Sequence, residues 1–210
     1  MVKKTIFPAV LAGMAIGLGG TIFLSVENNI VGAFLFSLGL LTILTFGFNL
    51  FTGKVGYLLD NPPSYLGTLG IIWVGNFIGT GIFALILRFT KVYEALHSRS
   101  VTVVTGKVDD TAISVFLLAV GCGFCMYIAV NSYKTCESFQ KVIMVVLPVM
   151  VFIIAKFEHC IANMFYFWIY WLGGGFTSGW LVKSVVYIII MSLGNSVGAL
   201  IIPGFMKLCK

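Results

Sequence analysis

The chain has 210 residues, 60% of them hydrophobic and 10% charged, with a formal net charge of +6 and a mean hydropathy of +1.07. So apolar a composition excludes a soluble domain, because too few polar residues remain to cover one. Five cysteines, Cys122, Cys125, Cys136, Cys160 and Cys209, lie mostly within or beside apolar stretches, and their odd number implies no disulfide framework.

A helix needs about 20 apolar residues to cross a bilayer, and six such stretches follow one another. The first, 6–26, comes after Lys3 and Lys4. It has the look of a signal peptide, but it is long, lacks a small-residue cleavage site and is read as a span. The second, 30–59, exceeds one straight crossing and contains Gly47-Phe48-Asn49-Leu50-Phe51-Thr52-Gly53-Lys54, where glycines flank a polar pair. The third is 65–89, followed by a polar connection that carries His97. The fourth is 111–131. Its Cys122-Gly-Phe-Cys125 has redox-motif spacing, yet inside an apolar helix the two thiols are read as packing residues.

The fifth stretch, 142–172, is again too long for one crossing. At its centre stands Lys156-Phe157-Glu158-His159-Cys160-Ile161-Ala162-Asn163, and at its end Trp171-Leu172-Gly173-Gly174-Gly175. The sixth is 180–206. Together they predict an all-α integral membrane protein of six transmembrane helices in one domain, 1–210, with the lipid bilayer as its surroundings. Neither an enzyme nor a nucleic-acid partner is expected. Nor is a cofactor or a metal centre, since His97, the second histidine, falls outside the spans.

An internal repeat organises the chain. Trp73-Val74-Gly75-Asn76-Phe77-Ile78-Gly79 is echoed by Ser192-Leu193-Gly194-Asn195-Ser196-Val197-Gly198, and more weakly Ala15-Ile16-Gly17-Leu18-Gly19 by Ala119-Val120-Gly121-Cys122-Gly123. The halves, about 1–95 and 105–210, each hold an odd number of crossings, so the second enters from the opposite side as an inverted repeat. With the N-terminus inside, Lys3, Lys4, Lys54, Lys134, Lys141, Lys207 and Lys210 face the cytoplasm. Arg88, Lys91, Arg99, Lys107 and Lys183 face out. That bias places both termini on the cytoplasmic side of the inner membrane.

An ionisable group at the centre of a span costs at least about 2.5 to 3.5 kcal/mol, so it faces a polar cavity or a partner. His159 is either a pore residue or a tie between helices. Lys156, three residues earlier, would share its face on a continuous helix and would attract an anion; its competing role is an ion pair with Glu158. Breaks in the two long spans expose backbone groups, which is tolerable only in protein or around a wet path. Asn76, Asn163 and Asn195 are amides in apolar helices, either interhelical glue or path lining. Asn163, one turn after His159, is placed to touch it, and Phe51 beside the glycines is a candidate constriction.

Asn49-Leu50-Phe51-Thr52-Gly53, Phe157-Glu158-His159-Cys160-Ile161-Ala162-Asn163-Met164-Phe165, Gly75-Asn76 and Gly194-Asn195 resemble the signatures of the formate/nitrite transporter family over nearly the whole chain. The resemblance implies a homopentamer with an anion pore in each protomer and an aquaporin-like repeat with interrupted helices two and five. It implies that Leu50, Phe51 and Thr52 form a mobile loop and that His159 is the central pore histidine with Thr52 as its hydroxyl counterpart. Phe36 and Phe152 would be constrictions, Leu40 a further narrow point, and Lys107 a residue near the outer vestibule. Three positions depart from formate-type members: Asn49 replaces a glutamate, Gly123 an asparagine and Lys156 a small residue. The lysine before Phe-Glu-His resembles the hydrosulfide-channel branch, so hydrosulfide is the expected anion, with formate, nitrite and chloride as alternatives. A neutral-solute channel is the rival reading.

Overall fold

The computed structural model describes residues 2–174 and 177–209, so that Gly175 and Lys210, named above, lie outside them. The elements in chain order are α1 (Val2–Ser25), α2 (Asn29–Phe46), α3 (Phe51–Lys54), a 3-10 turn (Val55–Asp60), α4 (Tyr65–Arg88), α5 (Tyr93–Val108), α6 (Ala112–Thr135), α7 (Gln140–Ile154), α8 (Cys160–Gly173) and α9 (Ser178–Leu208). Caps set several of these bounds. Asn28 accepts the amides of Ile30 and Val31 before α2, Thr111 that of Ser114 before α6, and Thr177 that of Trp180 before α9.

Five helices, α1, α2, α4, α6 and α9, are long and apolar enough to cross a membrane, and α7 is a shorter apolar helix. The two overlong stretches are each broken, as expected. The second becomes α2, α3 and the 3-10 turn; the fifth becomes α7 and α8.

The polar connection expected after the third span is a helix. In α5 the buried residues Tyr93, Leu96, Ser100, Val104 and Val108 recur every three or four positions, one stripe of an amphipathic helix. That stripe packs chiefly on α8. A search for 20 apolar residues passes over such a segment, because its opposite face is polar.

The two halves repeat the same contacts. Helix α1 packs on α4 and α2, α6 packs on α9 and α7, and α2 meets α7 between them. A Cβ on Gly79 would stand 2.0 Å from Val10 O, and one on Gly198 1.9 Å from Val120 O. At these crossings backbone lies against backbone, so only glycine fits. Val10 therefore matches Val120, and residues 9–13 match 119–123. The expected pairing of 15–19 with 119–123 is a register error: small residues recur so often along α1 that a glycine pattern alone does not fix the alignment.

Outside, Phe34, Leu38, Val74, Ile78, Val182 and Ile189 are exposed apolar side chains, the surface a bilayer or a second membrane-embedded subunit covers.

Candidate functional site

Helix α2 stops where Gly47 adopts the left-handed region at φ 69°, and Phe48 N–H then donates to Ile43 O at 2.9 Å. After α7 the same turn recurs with Lys156 at φ 57° and Phe157 N–H donating to Phe152 O at 2.8 Å. Both follow the left-handed helix stop. Beyond each stop an asparagine from a neighbouring helix satisfies the freed backbone. Asn76 Oδ1 accepts Phe51 N–H at 2.8 Å while its Nδ2 donates to Ala9 O and Asn49 O, both at 2.8 Å. Asn195 Oδ1 accepts Cys160 N–H at 2.8 Å while its Nδ2 donates to Ala119 O at 2.8 Å and Glu158 O at 2.7 Å. The two asparagines are thus helix glue of a particular kind, holding open breaks that lipid would not tolerate.

The two breaks bring Thr52 and His159 together. Thr52, in the short helix α3, is 1% exposed and its Oγ1 lies 3.0 Å from Nε2 of His159, the residue capping α8. His159 Nδ1 accepts Ala162 N–H at 3.0 Å. The neutral ring therefore carries its proton on Nε2 and donates it to Thr52 Oγ1. The threonine hydroxyl keeps its own hydrogen free for a further acceptor.

Apolar groups flank this pair. The Phe152 ring stacks on His159 with centroids 5.5 Å apart, and Phe36 meets Phe152 edge-on at 6.1 Å. On another side lies a cavity of about 300 Å³ whose lining includes Leu40, Leu50, Lys54 and Lys134. Phe36, Leu40, Leu50, Phe51 and Phe152 are all buried.

Glu158, 5% exposed, receives Lys107 Nζ at 2.5 Å and Asn163 Nδ2 at 2.8 Å on Oε2. The amide also donates to His159 O at 3.0 Å, so Asn163 touches its predicted neighbour through the backbone, not the ring. Lys107 comes from the last turn of α5.

Lys156 is where the sequence expectation fails. Residues 155–159 are not helical, so Lys156 and His159 do not share a helical face; Lys156 is exposed in a left-handed turn. It does not pair with Glu158 either, whose partner is Lys107. Asn49, at the position matching Glu158, donates instead to Thr5 O at 3.2 Å and ties its turn to α1.

Lys54 and Lys134 were not singled out, although both line the cavity beside Leu40 and Leu50. Lys54 lies directly after the glycine-bracketed break, which was a usable signal. Lys134 lies in the last turn of α6 and is brought to the cavity only by tertiary packing.

These features define a membrane helix bundle with two interrupted crossings whose broken ends meet at a buried threonine–histidine pair. The family model for the formate/nitrite transporters matches residues 1–209, and the chain belongs to that family. It is 27% identical to the formate channel FocA of Haemophilus influenzae over 149 residues, 66% of this chain and 52% of that protein. Over 183 residues it is 27% identical to FocA of Escherichia coli, 77% of this chain and 64% of that one. With the uncharacterized transporter YrhG of Bacillus subtilis it shares 26% over 189 residues, 84% and 70% of the two chains. The chain thus spans about half the length of the first relative. A solved pentameric formate channel with formate bound superposes with a TM-score of 0.81 at 24% identity, over 99% of this chain and 96% of that one. An ion channel of the same family gives 0.84 at 20% identity, over 98% and 89%.

Proposed function

We propose that the chain forms a pore for small monovalent weak-acid anions, running past Leu40 and Leu50, the Thr52–His159 pair, and Phe36 and Phe152. The observation that carries this reading is the bond between His159 Nε2 and Thr52 Oγ1 at 3.0 Å. It leaves the threonine hydroxyl hydrogen as a donor between apolar constrictions, where an anion must exchange its water shell for protein donors. The first turn of α8 adds partial positive charge beside it. The loop of Leu50, Phe51 and Thr52 gates the path. Lys107, Glu158 and Asn163 fix the turn that presents His159, while Asn76 and Asn195 hold the two breaks open.

The matching bonds of Asn76 and Asn195 support an inverted repeat of three crossings and three. A homopentamer with one pore per protomer, in the inner membrane with both termini cytoplasmic, completes the reading. Its supports are the family's solved pentamer and the charge bias of the connections.

For the anion, hydrosulfide is supported by Lys156 before Phe-Glu-His and by Asn49 in place of a glutamate. Formate or nitrite is supported by the names of the relatives. Flux into proteoliposomes decides: hydrosulfide, formate, nitrite, chloride, glycerol and water are compared at one concentration. Faster glycerol or water flux than any anion overturns the pore reading. Formate or nitrite exceeding hydrosulfide assigns the chain to the other anion.

A further inference from the structure

The two breaks match in backbone and differ in one side chain. Asn49 N–H donates to Pro8 O at 3.3 Å and Glu158 N–H to Leu118 O at 3.3 Å, and the carbonyls of the same two residues accept the amides of Asn76 and Asn195. Position 49 thus repeats position 158. The side chains nevertheless turn opposite ways. Glu158 is an anion held by Lys107 and Asn163, and such charge-assisted bonds are roughly twice as strong as neutral ones. Asn49 is neutral and half-buried, and its Nδ2 donates to Thr5 O at 3.2 Å. A carbonyl only accepts, so Thr5 O requires a donor at position 49. Directly after it, Leu50 O accepts the amides of Gly53 at 3.1 Å and Lys54 at 3.0 Å and closes the turn that carries Thr52.

We propose that Asn49 is a positioning residue for the pore: its side-chain amide latches the Leu50-Phe51-Thr52 segment to α1, and the latch keeps Thr52 opposite His159. The proposal rests on the pore reading for its effect on flux. Being neutral, the latch is weaker than the Lys107–Glu158 tie of the second half, so one substitution of unchanged shape releases the first break. A carboxylate at position 49 sets an acceptor against Thr5 O and repels it. A protonated carboxyl donates again, as the amide does.

Hydrogen–deuterium exchange of the detergent-solubilised protein reads the latch without any flux. The reference is the amide of Asn163, which donates to His159 O at 3.0 Å in the matching turn. In Asn49→Leu, which keeps the shape and removes the donor, exchange at Gly53 and Lys54 should rise roughly fivefold, the loss of one neutral hydrogen bond. Asn163 should keep the parent's rate. In Asn49→Asp the rise should be at least as large at about pH 8 and should shrink towards about pH 4, as the introduced carboxyl takes up its proton. Anion flux into proteoliposomes should fall in Asn49→Asp at the higher pH and recover with the latch, each value being taken relative to the parent at the same pH. The titratable groups near this turn on the elements it meets are Lys3 and Lys4 on α1, Lys54 on α3, Tyr65 and Arg88 at the ends of α4, and His159. The parent shares them all, so the ratio isolates the introduced carboxyl. Unchanged exchange in Asn49→Leu, an equal rise at Asn163, or a rise in Asn49→Asp indifferent to pH overturns the proposal. Exchange that behaves as expected, with flux unmoved at every pH, would keep the latch and sink the pore reading.

Discussion

Lys107 Nζ lies 2.5 Å from Glu158 Oε2, joining the last turn of α5 to the break before α8. The pair is mostly buried, with side-chain exposures of 16% and 6%. Removing one partner of such a pair leaves an uncompensated charge and costs about 3–5 kcal/mol. Lys107→Met or Glu158→Gln alone should therefore lower the unfolding temperature in detergent sharply, and the double substitution should recover most of the loss. Lys156→Ala should leave it unchanged. Sharp destabilisation by Lys156→Ala, with Lys107→Met silent, would return the pair to the residue two positions before Glu158.

Lys156 occupies a left-handed turn at φ 57°, a region costing a side-chain-bearing residue about 1–2 kcal/mol. Gly47 stands in the matching turn of the first half at φ 69°. Lys156→Gly relieves that strain but frees the unfolded chain, for a net gain of roughly 0.5–1 kcal/mol. The same substitution removes an exposed, unpaired cation. A more heat-resistant protein with reduced anion flux is the expected result; unaltered flux would deny Lys156 any part in attracting the anion.

Much of the architecture was legible because membrane solvation imposes length. The six stretches and the two breaks follow from counting apolar residues against bilayer thickness, and the glycines at 47 and 53 marked the first break. Helix α5 escaped the count because it is amphipathic, although its stripe from Tyr93 to Val108 was written in the sequence. Thr52 and His159 were paired only by resemblance, since their meeting depends on two breaks 107 positions apart. Lys156 was misplaced by assuming helical spacing across a segment that had itself been predicted to break. The repeat was legible at Asn76 and Asn195, where a rare amide marks the register, and not in α1, where frequent glycine and alanine leave it ambiguous.

Asn76 and Asn195 each make three hydrogen bonds to backbone groups of other segments. Asn76→Ala orphans Phe51 N–H and Asn49 O and takes from Ala9 O, which keeps its bond within α1, a second donor; Asn195→Ala does the same to Cys160 N–H, Glu158 O and Ala119 O, which keeps its bond within α6. At about 1–3 kcal/mol per buried unsatisfied group, each should cost at least about 2 kcal/mol, to a similar extent in the two halves. Thermal unfolding of both variants measures this. A silent substitution at either position would mean that water enters its break and replaces the amide.

Thr52 and His159 separate a donor role from a packing role. His159 Nε2 donates to Thr52 Oγ1, and the hydroxyl hydrogen that remains is the group offered to an anion. Thr52→Val keeps the shape, removes that donor and leaves the ring N–H without its acceptor. Anion flux should fall roughly tenfold or more, the equivalent of one lost hydrogen bond to a charged group. Thr52→Ser retains the hydroxyl and should retain most of the flux. His159→Ala should alter the preference among hydrosulfide, formate and nitrite, or the pH dependence of flux, because it removes the residue that orients the hydroxyl and can itself exchange a proton. Flux through each variant in proteoliposomes, normalised to assembled protein, is the measurement. An assembled Thr52→Val protein that conducts as well as the parent would show that the hydroxyl serves packing alone.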